Sequence, residues 1–315
     1  MNKVTSGVPQ GSVLGPVLFL IYINTLDLYV KDFSDIISKF ADDSKVGKII
    51  RDQSDNLRLQ SAIDELCKWA TDWQMQFNAT KCSVMHFGHR NPEYNYTMYD
   101  NPLMATDKEK DVGVIISKNL KPNNHVLKAA STANRVLGLI SRSIHFRDKK
   151  VWIDMYKTYV RPHLEYAVQC WSPWSNADIR SLEKVQERVI NMCSCLKGNN
   201  YEEKLREVKL MSLEDRRTRA DMILTWKILN KKIDVDETTW FTRLNANNTR
   251  ETRLTHSGLN LSVPRTSLEI RRNFFSARVP NTWNQLPEKV KVATSVSSFK
   301  HLYDHWHEQR QPREF

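Results

Sequence analysis

Two adjacent aspartates, Asp42 and Asp43, are the residues of this sequence best suited to chemistry. They follow Phe40-Ala41 and lie between two short apolar stretches, so two carboxylates would stand at the turn between two strands. Adjacent carboxylates repel each other and ionise poorly away from water, and divalent cations relieve both costs. Mg²⁺ prefers such hard oxygen ligands, and two ions about 3.5–4 Å apart can activate a hydroxyl and hold a leaving group. Taken alone, the pair is more typical of a solvated hairpin turn.

A second segment with chemical potential is SGVPQGSVLGP, which spans residues 6–16. Its glycines and prolines fix a tight backbone that bulky residues could not adopt. A loop of this kind that leads into a helix N-terminus can lie close to a phosphate or a base. By itself the segment is weak support for such a site, because many loops contain glycine and proline.

Strands and helices must position both segments. Residues 35–50 predict a strand, a tight turn and a second strand around Asp42 and Asp43. Pro16 suits the first turn of a helix that continues to Ile23. The apolar spacing over residues 54–77 predicts a longer helix, with Ser54 as its N-cap. Two further strands are expected at Ser83–Phe87 and Val112–Ser117.

The rest of the chain is predicted to be mainly helical from about Asn124. One apolar stripe runs from Val126 to Ile144 and another from Ile179 to Leu196, both at helical spacing. Residues 234–264 are rich in Asn, Thr and charge and predict a linker or long loop. The sequence therefore predicts a mixed α+β fold, with the strands in its first third.

Charge is divided unevenly along the 315 residues. Residues 1–120 carry 13 Lys and Arg against 15 Asp and Glu, a net of −2, whereas residues 121–315 carry 34 against 21, a net of +13. A basic body of this kind suggests a polyanionic partner, usually nucleic acid, although it would also serve solubility alone. The five scattered cysteines fit neither a disulfide framework nor a zinc site. The longest apolar run, Val17 to Ile23, is too short to cross a bilayer, so an intracellular protein without a membrane partner is expected.

Taken together, the two segments resemble motifs B and C of reverse transcriptases, and their wording is close to that of jockey-like non-LTR retrotransposons. The Gly-rich loop precedes the Asp42-Asp43 turn by about 30 residues, which is the order of these motifs in the family. Further segments resemble motif D, the primer grip, the thumb and the C-terminal region; they are Phe77-Asn78 with Lys81, Lys110–Val114, Val160–Tyr166 with Leu182–Gln186, and Phe274–Pro287.

The resemblance implies a fold and an activity. It implies a partial palm over residues 1–120, a helical thumb over 121–232, and a linker with a basic C-terminal region over 233–315. The parent activity would be RNA-directed DNA synthesis, in which a primer 3′-hydroxyl attacks a dNTP on an RNA template with two Mg²⁺ ions.

Site residues are implied by position within the same motifs. Asp42 and Asp43 would be catalytic metal ligands, Lys81 would protonate or stabilise departing pyrophosphate, and Gly113 would let the backbone approach the primer. The nucleotide and template would be contacted by the Gly-rich loop, through Gly7, Val8, Pro9, Gln10 and Gly11.

One part of the family's active site is not expected in this chain. The third metal-binding aspartate belongs to motif A, which precedes motif B, and no Asp precedes Asp27 here. Three alternatives stay open: a fragment inactive alone, a non-catalytic nucleic-acid-binding remnant in nucleus or cytoplasm, or one half of a polymerase completed by an upstream half. Without the preceding region, apolar faces of the Val17–Ile23 helix and of Ile36, Phe40 and Val46 should lie uncovered.

Overall fold

Helices and short strands alternate in the first third of the chain, and helices predominate after it. The structure is a computed structural model that describes residues 11–144, 148–193, 200–244 and 258–310. The predicted mixed α+β class is confirmed at that level. The chain divides into two compact units, the first made of residues 1–113 and 117–119 and the second of residues 114–116 and 120–315.

The first unit begins with two helices, a hairpin and a long helix, and continues with very short strands. Its elements are α1 (Leu14–Ile23), α2 (Leu26–Val30), β1 (Ile36–Phe40), β2 (Asp43–Gly47), α3 (Gln53–Asp72), a 3₁₀ turn (Ala79–Lys81), β3 (Ser83–Val84), β4 (Thr97–Met98), β5 (Asn101–Pro102), β6 (Met104–Ala105) and β7 (Lys108–Asp111). Strands β1 and β2 pair antiparallel, β4 and β5 pair antiparallel, and β3 pairs parallel with β6. The strand predicted over Ser83–Phe87 is thus only two residues long.

The core of the first unit lies between α2 and α3. Trp69 of α3 is fully buried, and its Nε1 donates to Thr25 Oγ1 at 3.1 Å, so the indole is satisfied at both its apolar and its polar end. Leu26 and Val30 of α2 are buried against the same helix. This packing gives the β1–β2 hairpin a firm base.

Helix α3 differs from its prediction at both ends. Its N-cap is Asp52, whose carboxylate accepts from the backbone N–H of Ser54 and Asp55, so the prediction of Ser54 as the cap was wrong. A carboxylate one position before the first helical residue reaches these orphan donors. The helix ends at Asp72, not at Phe77, because Gln74 adopts a left-handed φ of 53° that ends the helical turn.

The second unit contains the strand β8 (Val114–Ser117), whose last residue groups with the first unit, and then helices. These are α4 (Asn123–Ser143), α5 (Lys149–Met155), a π-helical turn (Tyr156–Val160), α6 (Arg161–Glu165), α7 (Val168–Trp171), α8 (Asn176–Asn191), α9 (Tyr201–Glu207), α10 (Leu213–Leu229), α11 (Glu237–Trp240), α12 (Glu269–Asn273), α13 (Phe275–Asn284), α14 (Glu288–Lys291) and α15 (Val296–Arg310).

Two apolar clusters fill the second unit. The first joins α4, α5, α6 and α8, and the second joins α10, α13 and α15. Inside the first, Gln186 is fully buried; its Oε1 accepts from the Tyr156 hydroxyl at 2.5 Å, and its Nε2 donates to Tyr201 Oη at 3.1 Å and to the Met211 carbonyl at 3.0 Å. One side chain thereby links four segments of the unit.

The helical column formed by α5 and α6 contains the π-helical turn. The Arg161 N–H donates to the Tyr156 carbonyl, five residues back, instead of to the carbonyl four residues back as in an α-helix. Pro162 follows at the start of α6. A proline ring clashes with the carbonyl four residues before it, here that of Thr158, and the wider turn accommodates the clash.

The segment predicted as a linker or long loop, residues 234–264, is partly structured. Helix α11 lies within it, and Arg243 forms a β-bridge with Leu261. Residues 245–257 of the segment lie outside the described residues. Within the described ranges, no helix combines the length and the apolar character needed to cross a membrane.

Candidate active site

The Asp42-Asp43 pair lies at the tip of the predicted hairpin. Phe40 pairs with Asp43 in the strand register, so Ala41 and Asp42 alone form the turn. Ala41 has a φ of 52°, a left-handed conformation that costs a non-glycine residue of order 1–3 kcal/mol. Both aspartates are exposed. The tight turn therefore presents two carboxylates to solvent on neighbouring residues.

The hairpin is attached to the unit through its inward face. The side chains of Ile37 and Val46 pack against the core below. Lys39 Nζ lies 3.0 Å from Asp27 Oδ2, and it donates to the carbonyls of Ile23 and Asn24 at 3.2 and 3.3 Å. The ammonium thus neutralises a carboxylate and binds backbone oxygens near the end of α1. Sequence reasoning missed Lys39, although an inward lysine in an otherwise apolar strand was a signal for it.

The outward face of the hairpin carries both apolar and charged side chains. Ile36 and Phe40 are 58% and 61% exposed. The Lys45 ammonium pairs with the Asp111 carboxylate, which lies in β7 two residues before Gly113. That ion pair connects the hairpin to the segment that resembles a primer grip.

As a metal site, the pair provides part of what a polymerase needs. Two carboxylates suit Mg²⁺, which is commonly bound through one or two carboxylates together with waters and substrate phosphates. Among the described residues, no group of three His, Cys, Asp or Glu side chains is arranged to hold a metal ion. Asp42 and Asp43 therefore fit one Mg²⁺ in their donor chemistry, and a site for two ions needs a further carboxylate.

The Gly-rich loop is described only from Gly11 onward. Its predicted contacts Gly7, Val8, Pro9 and Gln10 lie outside the described residues. Gly11 is exposed with a φ of 80°, which favours glycine. Ser12 Oγ then accepts from the Gly15 N–H at 3.0 Å and so caps the first turn of α1. The prediction of a glycine turn that leads into a helix is confirmed for this part.

Lys81 and Gly113 lie on other segments of the same unit. Lys81 ends the 3₁₀ turn and is exposed, and it forms no ion pair with any described residue. Gly113 stands between β7 and β8 with a φ of 88°, next to Val112 at 41°. A positive φ is demanding for a β-branched residue such as Val112. The roles predicted for Lys81 and Gly113 stay predictions, since each would depend on bound substrates.

Helix α1 presents an unusually apolar surface. Its inner residues Phe19, Tyr22 and Ile23 pack into the core of the unit. Its outer side chains, together with Val13 before it, are mostly more than half exposed: Val13, Leu14, Val17, Leu20 and Ile21. With Ile36 and Phe40, this confirms the expectation of uncovered apolar faces around the motifs, while Val46 is half-buried.

Comparisons with known proteins agree with these features. Residues 2–140 match the family described as reverse transcriptase (RNA-dependent DNA polymerase). A probable RNA-directed DNA polymerase from transposon X-element of Drosophila melanogaster is 28% identical over 206 residues. The RNA-directed DNA polymerases from mobile element jockey are 24% identical over 206 residues in Drosophila melanogaster and 28% over 207 in Drosophila funebris.

The extent of these matches limits what they cover. They include 61–62% of this chain but only 22% of each relative, about a fifth of its length. No solved structure matches the chain. The part of the relatives that does match contains the glycine turn, α1 and the carboxylate hairpin. Through residues 2–140 the chain belongs to the reverse transcriptase family, and its relatives are the RNA-directed DNA polymerases of jockey-like non-LTR mobile elements.

Proposed function

We propose that this chain supplies the carboxylate hairpin of an RNA-directed DNA polymerase of a non-LTR retrotransposon. The observation that carries the proposal is the two-residue turn that exposes Asp42 and Asp43 inside the matched reverse transcriptase region. An RNA template, a DNA primer and a dNTP are the proposed substrates, and the nucleus or cytoplasm is the proposed place of action. The first unit would be part of a palm, and the helices from α4 to α10 would be a thumb.

The chain's own residues would have distinct tasks in this reaction. Asp42 and Asp43 would hold Mg²⁺, which when bound lowers the pKa of the primer hydroxyl and neutralises phosphate charge. Lys81, exposed and unpaired within the described residues, is free to approach pyrophosphate as its charge develops. The left-handed backbone at Gly11 and Gly113 leaves space for nucleotide and primer to come close.

A further carboxylate from an upstream polymerase half would complete this site. Support comes from the two-carboxylate donor set and from the uncovered apolar surface of α1 and the hairpin. Exposed apolar patches of several hundred Å² are typical of interaction surfaces. The same surface would make the chain prone to self-association when it is alone.

Primer extension on poly(A)/oligo(dT) with Mg²⁺ or Mn²⁺ tests the proposal. The 315-residue chain alone should extend nothing, whereas the chain fused to a segment carrying motif A should extend the primer. Asp42→Asn should abolish that activity, and the matched control Asp32→Asn, at another exposed aspartate of the same unit, should leave it intact.

Two results would contradict different parts of the proposal. Extension by the chain alone that disappears in Asp42→Asn would show that no outside carboxylate is needed. Activity of the fused enzyme that survives Asp42→Asn would remove the hairpin from the metal site.

A second candidate function, nucleic-acid binding without catalysis, is favoured by the net charge of +13 over residues 121–315. Binding through phosphate contacts releases counterions, so the affinity should fall steeply as salt rises. Titrating a labelled RNA·DNA duplex at several salt concentrations measures this slope. Absence of binding at low salt, or a slope near zero, would exclude this function.

A further inference from the structure

A small polar cavity lies inside the second unit, between α10, α13 and the residues that follow α7. Its volume is about 170 Å³, and polar side chains dominate its lining, among them Ser172, Arg217, Thr218, Asp221, Arg278 and Thr282. None of these residues belongs to the carboxylate hairpin or to the motifs around it. The cavity therefore needs an explanation of its own.

Arg217 is the unusual member of this lining. It is only 4% exposed, yet neither Nη1 nor Nη2 has a hydrogen-bond partner. Its neighbours on α10 differ, since Arg216 binds Glu165 through two nitrogens and Arg219 binds Asp304 in the same way. A buried guanidinium without partners is costly, because a buried charge needs both an opposite charge and hydrogen bonds.

The nearby carboxylates do not supply these hydrogen bonds. Asp221, also buried, is taken up by Arg278, whose Nε and Nη2 lie 2.9 and 3.0 Å from its two oxygens. Glu214 is exposed at the edge of the lining. Burial lowers the pKa of Arg217 while the charges of Glu183, Glu214 and Asp221 raise it, and an arginine in this setting keeps its proton at neutral pH.

The size of the cavity restricts what can satisfy Arg217. At about 30 Å³ for each water, 170 Å³ holds five or six waters or one small oxyanion. Pockets for whole small-molecule ligands begin at about 300 Å³, so a nucleoside does not fit within it. A phosphate group does fit, and its oxygens match the planar fork of a guanidinium in a bidentate arrangement.

We propose that this cavity is a binding site for a single phosphate group, held by Arg217. The Nη1 and Nη2 groups donate to two phosphate oxygens, and the hydroxyls of Ser172 and Thr282 are placed to donate to the others. Neither hydroxyl has a hydrogen-bond partner within the described part of the chain. The phosphate comes from a nucleic-acid backbone if the proposed polymerase function holds, and from a small phosphorylated molecule if it does not.

Calorimetric titration of the 315-residue chain with inorganic phosphate, at constant ionic strength, tests the site itself. Arg217→Met removes the guanidinium and keeps the length of the side chain, and it should weaken phosphate binding at least tenfold. Arg180→Met makes the same change at an exposed arginine of the same unit and should change the affinity less than twofold. Equal affinities for wild type and Arg217→Met, or no heat of binding to wild type, would show a cavity filled by water alone.

Two further measurements keep the test decisive. If Arg217→Met does not melt cooperatively, Thr282→Val replaces it, since this hydroxyl has no internal partner to lose, and binding should weaken several-fold. Unchanged binding in Thr282→Val would overturn the proposed arrangement.

The source of the phosphate is read from an RNA·DNA duplex. If it is the backbone, Arg217→Met should reduce the slope of log affinity against log salt by about one. An unchanged slope with lost phosphate binding assigns the site to a small phosphorylated molecule. Failure of the chain to bind the duplex at all would count against the proposed function and leave the phosphate titration valid.

Discussion

Replacing Gln186 by leucine tests whether one buried amide holds the first cluster of the second unit together. The substitution removes three hydrogen bonds, to the Tyr156 hydroxyl, the Tyr201 hydroxyl and the Met211 carbonyl. Burial raises the pKa of Tyr156 well above its usual range, so its hydroxyl stays a donor at any ordinary pH. Tyr201 keeps a partner, because its hydroxyl also donates to Glu183 at 2.8 Å.

The expected cost follows from the groups left without a partner. The Tyr156 hydroxyl and the Met211 carbonyl would both be left unpaired in the interior, and each such group costs about 1–3 kcal/mol. Leucine adds apolar contact that offsets a part of this. We therefore expect Gln186→Leu to lower the free energy of unfolding by about 3 kcal/mol.

Urea unfolding followed by tryptophan fluorescence measures this loss, since Trp152 lies in the same cluster and donates to the Val189 carbonyl at 2.9 Å. Gln285→Leu is a matched control, because Gln285 is exposed and only accepts from Arg310 at 3.3 Å. It should cost less than about 0.5 kcal/mol.

A double variant isolates the central hydrogen bond. Tyr156→Phe removes the hydroxyl that Gln186→Leu leaves unpaired, so the two changes together should cost about 1 kcal/mol less than their sum. A loss below about 0.5 kcal/mol in Gln186→Leu, or strict additivity in the double variant, would refute the reasoning.

Three further predictions concern other parts of the molecule. Ala41→Gly should stabilise the chain by up to about 1 kcal/mol in urea unfolding, because glycine adopts the left-handed φ of 52° without strain; a loss of stability would contradict this. Hydrogen bonding to Asp215 raises the pKa of His307 and lowers that of Asp215, so His307 contributes stability that is fully present below its unfolded pKa of about 6.5 and is lost as pH rises through the folded value. Against His307→Gln, the stability difference should be at most about 1 kcal/mol at pH 5.5 and should shrink by pH 8.5; a difference that grows would contradict the assignment. Arg278→Met should cost about 3–5 kcal/mol in thermal or urea unfolding by leaving Asp221 buried and unpaired, and adding Asp221→Asn should recover part of that loss.

The sequence predicted the hairpin at Asp42 and Asp43 well, because a two-residue turn between apolar strands depends on neighbours only. Helix α1 was predicted for the same reason. The ends of α3 were not, since Ser54 and Asp52 are both good N-caps and only the backbone path shows which of them reaches the first N–H groups.

The interior sites depend on residues far apart in the chain, and so the sequence did not reveal them. Gln186 stands in a segment that resembles the thumb, but its partners Tyr156 and Met211 lie 30 and 25 residues away. Arg217 reads as one more basic residue in a charged helix. Only the packing of α10 on α13 shows that it is buried and has no partner.

The π-helical turn at Tyr156–Val160 has a consequence for how sequence length can vary here. A π turn holds one residue more than an α turn, and each helical residue turns the chain by about 100°. Loss of a single residue from this turn would rotate everything after it by that angle, carrying Leu164 out of the apolar interior and Glu165 away from Arg216. Related chains should therefore tolerate substitutions along this helical column far more readily than insertions or deletions of one residue.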